Sequence, residues 1–363
     1  MDKRIVIAAA GAGKTYYVAN DWGVNERVIL ISFTNANVAN IRKEVQKRFN
    51  NQIPNNVKIM TFDSFAYNNL IKPIEPLLNI EDSTSIDINT TPVEDPRKPG
   101  FVKIDNIHHY LNDNNQFYVT RIGKLFLKLK KSTQKIVLDR LENYCDSIYF
   151  DEFQDFNGFD FNLLKYFFEK NNLNIVAVGD INQSRLTPLR AAGSSNAKYP
   201  FHNINTLDDL KKKLPKKILF DETTLKESRR VPKKMCELIQ QKMNIPIESI
   251  SEIDSSIIYL SKIEDIHQVL LNPNITKLIW DKKSDHPKIK NSINWTYSKG
   301  DTYEQSCIIL TGSTSNIDKW KDISSQKTKN ALYVALTRSK GNTYLLTREG
   351  YNNWKKYIDK NGK

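Results

Sequence analysis

The stretch Ala8-Ala-Ala-Gly-Ala-Gly-Lys-Thr15 sits directly behind the apolar run that begins at Ile5. That order predicts a strand, a glycine-bearing loop and a helix. Such a loop turns several backbone N–H groups toward one point, and the helix behind it adds the positive end of its dipole. The arrangement suits the phosphates of a nucleotide. Ala10, Gly11, Ala12 and Gly13 supply the cradle, Lys14 reaches the β- and γ-phosphates, and the Thr15 hydroxyl holds Mg²⁺. ATP and Mg²⁺ are therefore the expected cofactors. The strict pattern opens on Gly, where this chain has Ala8. Tyr16 or Tyr17 is placed to stack on the base.

A chain of 363 residues, 39% hydrophobic, fits two domains with a small insertion. Lys plus Arg number 54 against 41 Asp plus Glu, a net charge of +13. That surplus points to a polyanionic partner, above all nucleic acid, with a generally solvated basic surface as the alternative. Cys145, Cys236 and Cys307 are scattered and have neither metal-ligand spacing nor a disulfide framework. They fit a reducing compartment, and a phosphate loop at residue 8 leaves no room for a signal peptide, so a cytoplasmic location is expected. No apolar run approaches the roughly 18 residues that read as a membrane span.

Strand-like runs at Val28–Ser32, Val57–Thr61, Ser147–Phe150 and Asn174–Gly179 alternate with helical spacing over 36–49 and 159–170. This predicts an α/β fold with a mostly parallel sheet, whose ligands bind at the carboxyl ends of the strands. Prolines at 73, 76, 92, 96 and 99 mark 71–100 as an irregular connection, and 101–145 looks helical. About 70–145 therefore reads as an insertion in the first domain. A second irregular stretch, 185–217, leads to strand candidates at 256–260, 277–280, 306–310 and 343–346. The expected domains are 1–215 and 216–363.

The segment Ile148-Tyr-Phe-Asp-Glu-Phe-Gln-Asp155 is a strand that ends in two carboxylates. Beside a phosphate loop, Asp151 can bind Mg²⁺ and Glu152 can orient and deprotonate a water, the two roles ATP hydrolysis needs. Taken alone, the pair also fits an acidic helix N-terminus.

Further segments follow in order: Phe33-Thr-Asn-Ala-Asn, Thr61-Phe-Asp-Ser-Phe65, Val178-Gly-Asp-Ile-Asn-Gln-Ser184, Leu225-Lys-Glu-Ser-Arg-Arg-Val-Pro232, Thr296-Tyr-Ser-Lys-Gly-Asp-Thr-Tyr303 and Leu332-Tyr-Val-Ala-Leu-Thr-Arg-Ser-Lys340. With the phosphate loop and the Asp-Glu box they resemble the motifs of UvrD/Rep-type superfamily 1 DNA helicases, from residue 8 to 340. The resemblance implies two RecA-like P-loop NTPase domains, the first with a helical insertion. It implies a catalytic set of Lys14, Asp151, Glu152, Gln183 as γ-phosphate sensor, and Arg230 and Arg338 as arginine fingers. It implies contacts to single-stranded DNA from Phe33, Thr34, Asn35, Thr61, Phe62, Ser64, Thr296, Ser298 and Lys299. The implied activity is an ATP-dependent helicase or translocase of 3′-to-5′ polarity. A DNA-stimulated ATPase switch within a larger phage replication or defence complex, and an RNA helicase, stay open beside it.

The chain departs from the family's pattern in four places. No Gln precedes the phosphate loop, so the site is expected to discriminate poorly between ATP and GTP. Ser184–Arg190 lacks the aromatics that follow Gln183 in relatives, with Tyr199 and Phe201 the nearest substitutes. Thr302 stands where the family has a ribose-binding Glu, as in the branch of opposite polarity. The interval from Pro232 to Thr296 is too short for the large second-domain insertion, so the isolated chain is expected to be modestly processive and helped by a partner protein.

Overall fold

The computed structural model describes residues 2–80, 85–184, 186, 204–281 and 285–361. The chain divides into two compact units: Met1–Val6, Lys14–Gly179 and Pro188–Asp221 in the first, and Ile7–Gly13, Asp180–Thr187 and Glu222–Lys363 in the second.

The first unit is built on strands β1 (Lys3–Ile7), β2 (Val28–Ser32), β3 (Val57–Thr61), β6 (Ser147–Asp151), β7 (Asn174–Gly179) and β8 (Leu219–Asp221), in the order β3-β2-β6-β7-β1-β8. Two further strands, β4 (Ser85–Asp87) and β5 (Gln116–Tyr118), pair separately. The ladders β2–β3, β2–β6, β6–β7 and β1–β8 are all parallel. β2 and β6 are buried at every position, which is why their sequences run apolar without alternation. Helices α1 (Lys14–Asn20), α2 (Asn35–Arg48), the single turn α3 (Phe62–Phe65), α4 (Val119–Lys128), α5 (Lys131–Tyr144), α6 (Gly158–Glu169) and α7 (Leu207–Lys213) complete the unit. Phe150 of β6 packs against Phe65, Phe156 and Phe167, with ring centroids 6.2, 5.7 and 6.0 Å away. Register does the positioning: Ser32 pairs with Thr61, Ile31 with Phe150, and Asp151 with Val178, so these strand ends share one edge of the sheet.

Two stretches expected to be irregular carry structure. The chain over 71–100 follows a π-helical segment, Ala66–Ile71, and carries a 3-10 segment, Lys72–Leu77, before β4. β4 is three residues long, too short for a periodic signal, and is fixed by side chains instead. Asp87 accepts from the amides of Asn89 and Thr90 at 2.8 and 3.1 Å and from Asn112 Nδ2 at 2.8 Å. The stretch 185–217 includes α7, capped by Thr206 and Asp209, each accepting from the other's backbone N–H. β8 then joins the edge of the sheet beside β1. Tyr199, Phe201 and most of Ser184–Arg190 lie outside the described residues.

The second unit contains β9 (Glu227–Ser228), α8 (Lys233–Met243), β10 (Glu248–Ser249), β11 (Ile257–Leu260), α9 (Ile263–Leu271), β12 (Thr276–Ile279), β13 (Ser292–Asn294), β14 (Ser306–Ile309), α10 (Gln326–Leu336), β15 (Thr343–Leu346) and α11 (Arg348–Asn361). Its main sheet runs β11-β15-β14-β12-β13 with four parallel ladders. α11 lays Tyr351, Trp354 and Ile358 onto a core that includes Leu270, Ile279, Ile309 and Leu346. α8 through β13 fill the interval from Pro232 to Thr296, so that interval belongs to the unit itself. Among the described residues, no helix is long and apolar enough to cross a membrane.

Lys277 of β12 is fully buried, and its ammonium donates to the carbonyls of Asn272 and of Ile275, the latter at 2.8 Å. Burial pushes this amine down to about 8. Between pH 8 and its ordinary value of 10.5 the unfolded chain holds a proton here that the folded chain does not. The folded state therefore gains stability from this group as pH rises through that window. Denaturant unfolding at pH 7.5 and 10 is expected to show wild type gaining stability relative to Lys277→Met at the higher pH; a pH-independent difference would contradict the assignment.

Candidate nucleotide-binding site

The loop after β1 turns on Gly11 and Gly13, which adopt φ of +76° and +90°. Gly11 has a second constraint. A Cβ there would lie 2.7 Å from Ser228 Oγ and 2.8 Å from Arg230 Cβ, so the position admits no side chain. Within the second unit the loop is held by backbone and one hydroxyl. Ala9 N donates to Leu225 O at 2.8 Å, Arg229 N donates to Gly11 O at 3.0 Å, and Ala10 N donates to Tyr333 Oη at 3.1 Å.

In the first unit, Lys14 opens α1, and its Nζ lies 3.4 Å from Glu152 Oε1. Asp151 ends β6 and is buried; its Oδ2 accepts from Ser32 Oγ at 3.3 Å, while Oδ1 has no hydrogen-bond partner. Burial, and then the Glu152 carboxylate, push the Asp151 carboxyl up to about 7, against the pull of the Lys14 ammonium. A desolvated carboxylate with one unpartnered oxygen has the chemistry of a ligand for a hard divalent cation, and the Thr15 hydroxyl is half-buried. The described residues contain no cluster of three or more His, Cys, Asp or Glu that could hold a metal, so a cation here would keep most of its waters.

Glu152 adopts a left-handed conformation, φ 55° and ψ 45°, rare outside glycine. Its Oε2 accepts from Gln154 Nε2, and Gln154 is wholly buried against Gly179. Sequence reasoning missed Gln154, whose role depends on this packing. Tyr16 is 54% exposed, whereas Tyr17 is buried, so of the two only Tyr16 is open to a base.

Two motif arginines of the second unit converge on the loop between β13 and β14. Arg230 Nη1 donates to Asp301 O at 3.3 Å and to Thr302 Oγ1 at 3.2 Å. Arg338 is buried, with Nη1 3.4 Å from both Ser298 O and Asp301 O and Nε 2.9 Å from Val334 O. Both candidate fingers thus reach the carbonyl of Asp301. Gln183 closes the 3-10 turn Ile181–Gln183 and donates from Nε2 to Asp180 Oδ2 at 2.8 Å.

Of the expected DNA contacts, Phe33, Thr34 and Asn35 follow β2, and Thr61 and Ser64 follow the adjoining end of β3. Thr34 and Thr61 cap α2 and α3, accepting from Asn37 N at 3.1 Å and Ser64 N at 3.2 Å. Phe62 is buried, 5.4 Å from Phe33 and 4.9 Å from Phe156 by ring centroid. Ser298 is likewise buried and donates to Trp295 O at 2.6 Å, while Thr296 and Lys299 are half-buried. Between them Tyr297 is 68% exposed, an aromatic surface the sequence reading passed over. A cavity lined by Trp280, Thr311, Gly312, Ser313, Thr328 and Arg348, near the carboxyl ends of β12 and β14, was also not anticipated.

A family model described as the UvrD/REP helicase N-terminal domain matches residues 2–95 and 94–185. No curated protein matches the sequence. Among solved structures, the arterivirus nonstructural protein 10 helicase is similar at 13% identity and a TM-score of 0.44, over 94% of this chain and 59% of that one. Its complex with DNA is similar at 12% identity and a TM-score of 0.46, over 95% and 60%. The chain spans about three fifths of the length of those proteins.

Gly179 gives a direct test of how the carboxylate pair is supported. A Cβ there would stand 2.2 Å from Gln154 Oε1 and 2.6 Å from Phe153 Cδ1. Gly179→Ala must displace both, at about 1–3 kcal/mol. Thermal unfolding is expected to show a Tm several degrees lower; an unchanged Tm would mean that Gln154 is not held as described.

Proposed function

The chain belongs to the UvrD/REP helicase family, and from that premise we propose that it is an ATP-dependent motor moving 3′-to-5′ along single-stranded DNA. The observation that carries the reading is the buried Asp151, with its unpartnered Oδ1, beside the Lys14–Glu152 pair at the end of β6. Without nucleotide, Lys14 neutralises Glu152. When ATP enters, Lys14 turns to the β- and γ-phosphates, and Glu152, still held by Gln154, is released to orient and deprotonate the attacking water. Thr15 and Asp151 would hold Mg²⁺, which when bound neutralises phosphate charge. Gln183 senses the γ-phosphate. Arg230, which already packs against Gly11, and Arg338 serve as arginine fingers.

In this reading the ATP-binding domain is 1–215, with about 70–145 inserted, and the second motor domain is 216–363. The proposed contacts to single-stranded DNA are Phe33, Thr34, Asn35, Thr61 and Ser64 in the first domain and, taken separately, Thr296 and Lys299 in the second. The exposed ring of Tyr297 offers a stacking platform. The net charge of +13 favours the phosphate backbone. Tyr16 stacks on the base and Thr302 lies near the ribose; with no polar group reading the base, ATP and GTP should be hydrolysed within about tenfold of each other.

Two outcomes test the chemistry. Lys14→Ala is expected to abolish hydrolysis, and Glu152→Gln to bind ATP while hydrolysing at least about a hundredfold more slowly. Near-normal turnover by Glu152→Gln, in a phosphate-release assay, would remove Glu152 from its role.

The motor reading is tested by coupling. ATPase rates should rise strongly with single-stranded DNA, less with duplex, and the stimulation should weaken as salt is raised because phosphate contacts release counterions. Rates indifferent to DNA would favour a nucleotide switch, and stimulation by RNA alone would favour an RNA-directed enzyme.

A further inference from the structure

Helix α10 is buried from Asn330 through Leu336, yet it carries polar groups on that buried surface. Each of two meets a loop of the second unit. Tyr333 Oη accepts from Ala10 N at 3.1 Å. Asn330, one turn earlier, donates from Nδ2 to Ser184 O at 2.9 Å and Ser184 Oγ at 3.2 Å, while Gln326 Nε2 holds its own oxygen at 2.7 Å. Burial pushes the Tyr333 hydroxyl well above its ordinary value, so it stays protonated and neutral.

The loop needs such an anchor. It turns on two glycines of positive φ, and Ala10 precedes the first of them. A backbone N–H buried without a partner is costly, so the loop keeps its turn only while Ala10 N finds an acceptor. Among the described residues the acceptor for Ala10 N is the Tyr333 hydroxyl, while Ala9 O accepts from Ala12 N at 3.2 Å and Gly11 O from Arg229 N at 3.0 Å. Tyr333 supplies it from more than three hundred residues away. Asn330 fixes the end of the Asp180–Ser184 turn from the same helix, one turn along.

We propose that Tyr333 is a positioning residue for the nucleotide loop: its hydroxyl holds Ala10 N–H so that the amides after it keep their aim at a phosphate, and Asn330 holds the Gln183 turn in the same register. This rests on the proposed ATP-dependent function but adds a residue and a role to it.

The test uses the full chain. Tyr333→Phe removes one oxygen and keeps the ring. In nucleotide-free wild type, peptides covering residues 8–13 are expected to exchange amide hydrogens slowly for a glycine-bearing loop, and in Tyr333→Phe faster, with peptides from β12 and β14 unchanged. The affinity for a fluorescent ATP analogue with Mg²⁺ is expected to fall about tenfold, the scale of one lost buried hydrogen bond. Single-stranded DNA affinity without nucleotide should stay within about twofold, as the lost bond lies on the nucleotide loop. In turnover the loss should fall on KM with kcat held within about threefold, a split that a merely destabilised protein would not give. Unchanged exchange, or faster exchange with unchanged nucleotide affinity, would overturn the proposal. Fast exchange over 8–13 in wild type would overturn it without any variant. If wild type does not hydrolyse ATP, the motor reading fails, while exchange and nucleotide affinity still decide the role of Tyr333.

Discussion

Asp151 is a carboxylate that the fold places out of water and then satisfies on one side only. Its Oδ2 has the Ser32 hydroxyl, its Oδ1 has no partner, and a second carboxylate follows it directly in sequence. Left alone, two such groups at a strand end would oppose folding, because burial and like charge both disfavour the ionised pair. The first unit is organised around containing that conflict. Parallel register brings Ser32 beside Asp151, and the start of α1 brings Lys14 to Glu152. Glu152 itself leaves the strand in a left-handed turn that sends its side chain toward Lys14 and Gln154. Strain and under-solvated charge of this kind persist where function requires them and the surrounding packing over-determines the geometry.

That packing is aromatic and tight. Gln154 sits where only a glycine at 179 leaves room, and Phe150, Phe156, Phe62 and Phe33 form a continuous cluster from the sheet to the surface. One cluster therefore supports both the carboxylate pair and the half-buried segment that follows β2. A displacement at Phe156 would be felt at Phe33 as well as at Phe150, since close-packed interiors pass shifts on and do not absorb them.

Much of this was legible in the residues. The strands at Val28–Ser32 and Asn174–Gly179 coincide with their apolar runs, because strands covered on both faces need no alternation; Val57–Thr61 was legible too, with Lys58 exposed between buried Val57 and Ile59. The strand, loop and helix around Lys14 and the carboxylates at the end of β6 were legible because each is written in a short stretch of sequence. What escaped was whatever depends on partners distant in sequence. β4 and β13 are three residues each, and β8 completes a sheet begun at Lys3. Phe62 and Ser298 stand within motifs but point into the core, and which member of a motif faces outward is settled by packing that a motif does not record.

The sequence of α10 shows the same limit from the opposite side. Seven consecutive buried residues, Asn-Ala-Leu-Tyr-Val-Ala-Leu, would pass as an ordinary core helix with two misplaced polar groups. Polar side chains in such a helix are tolerated only when satisfied. Gln326 of the same helix serves the Asn330 oxygen, while the Asn330 amide and the Tyr333 hydroxyl bond to chain from elsewhere. Loops are the natural source, because loops are where backbone N–H and C=O groups lack ladder partners. A buried Tyr or Asn on a core helix thus marks a loop whose shape matters. Here the loops are the two that carry Gly11 and Gln183, and helix geometry fixes the spacing between their anchors at three residues, close to one turn.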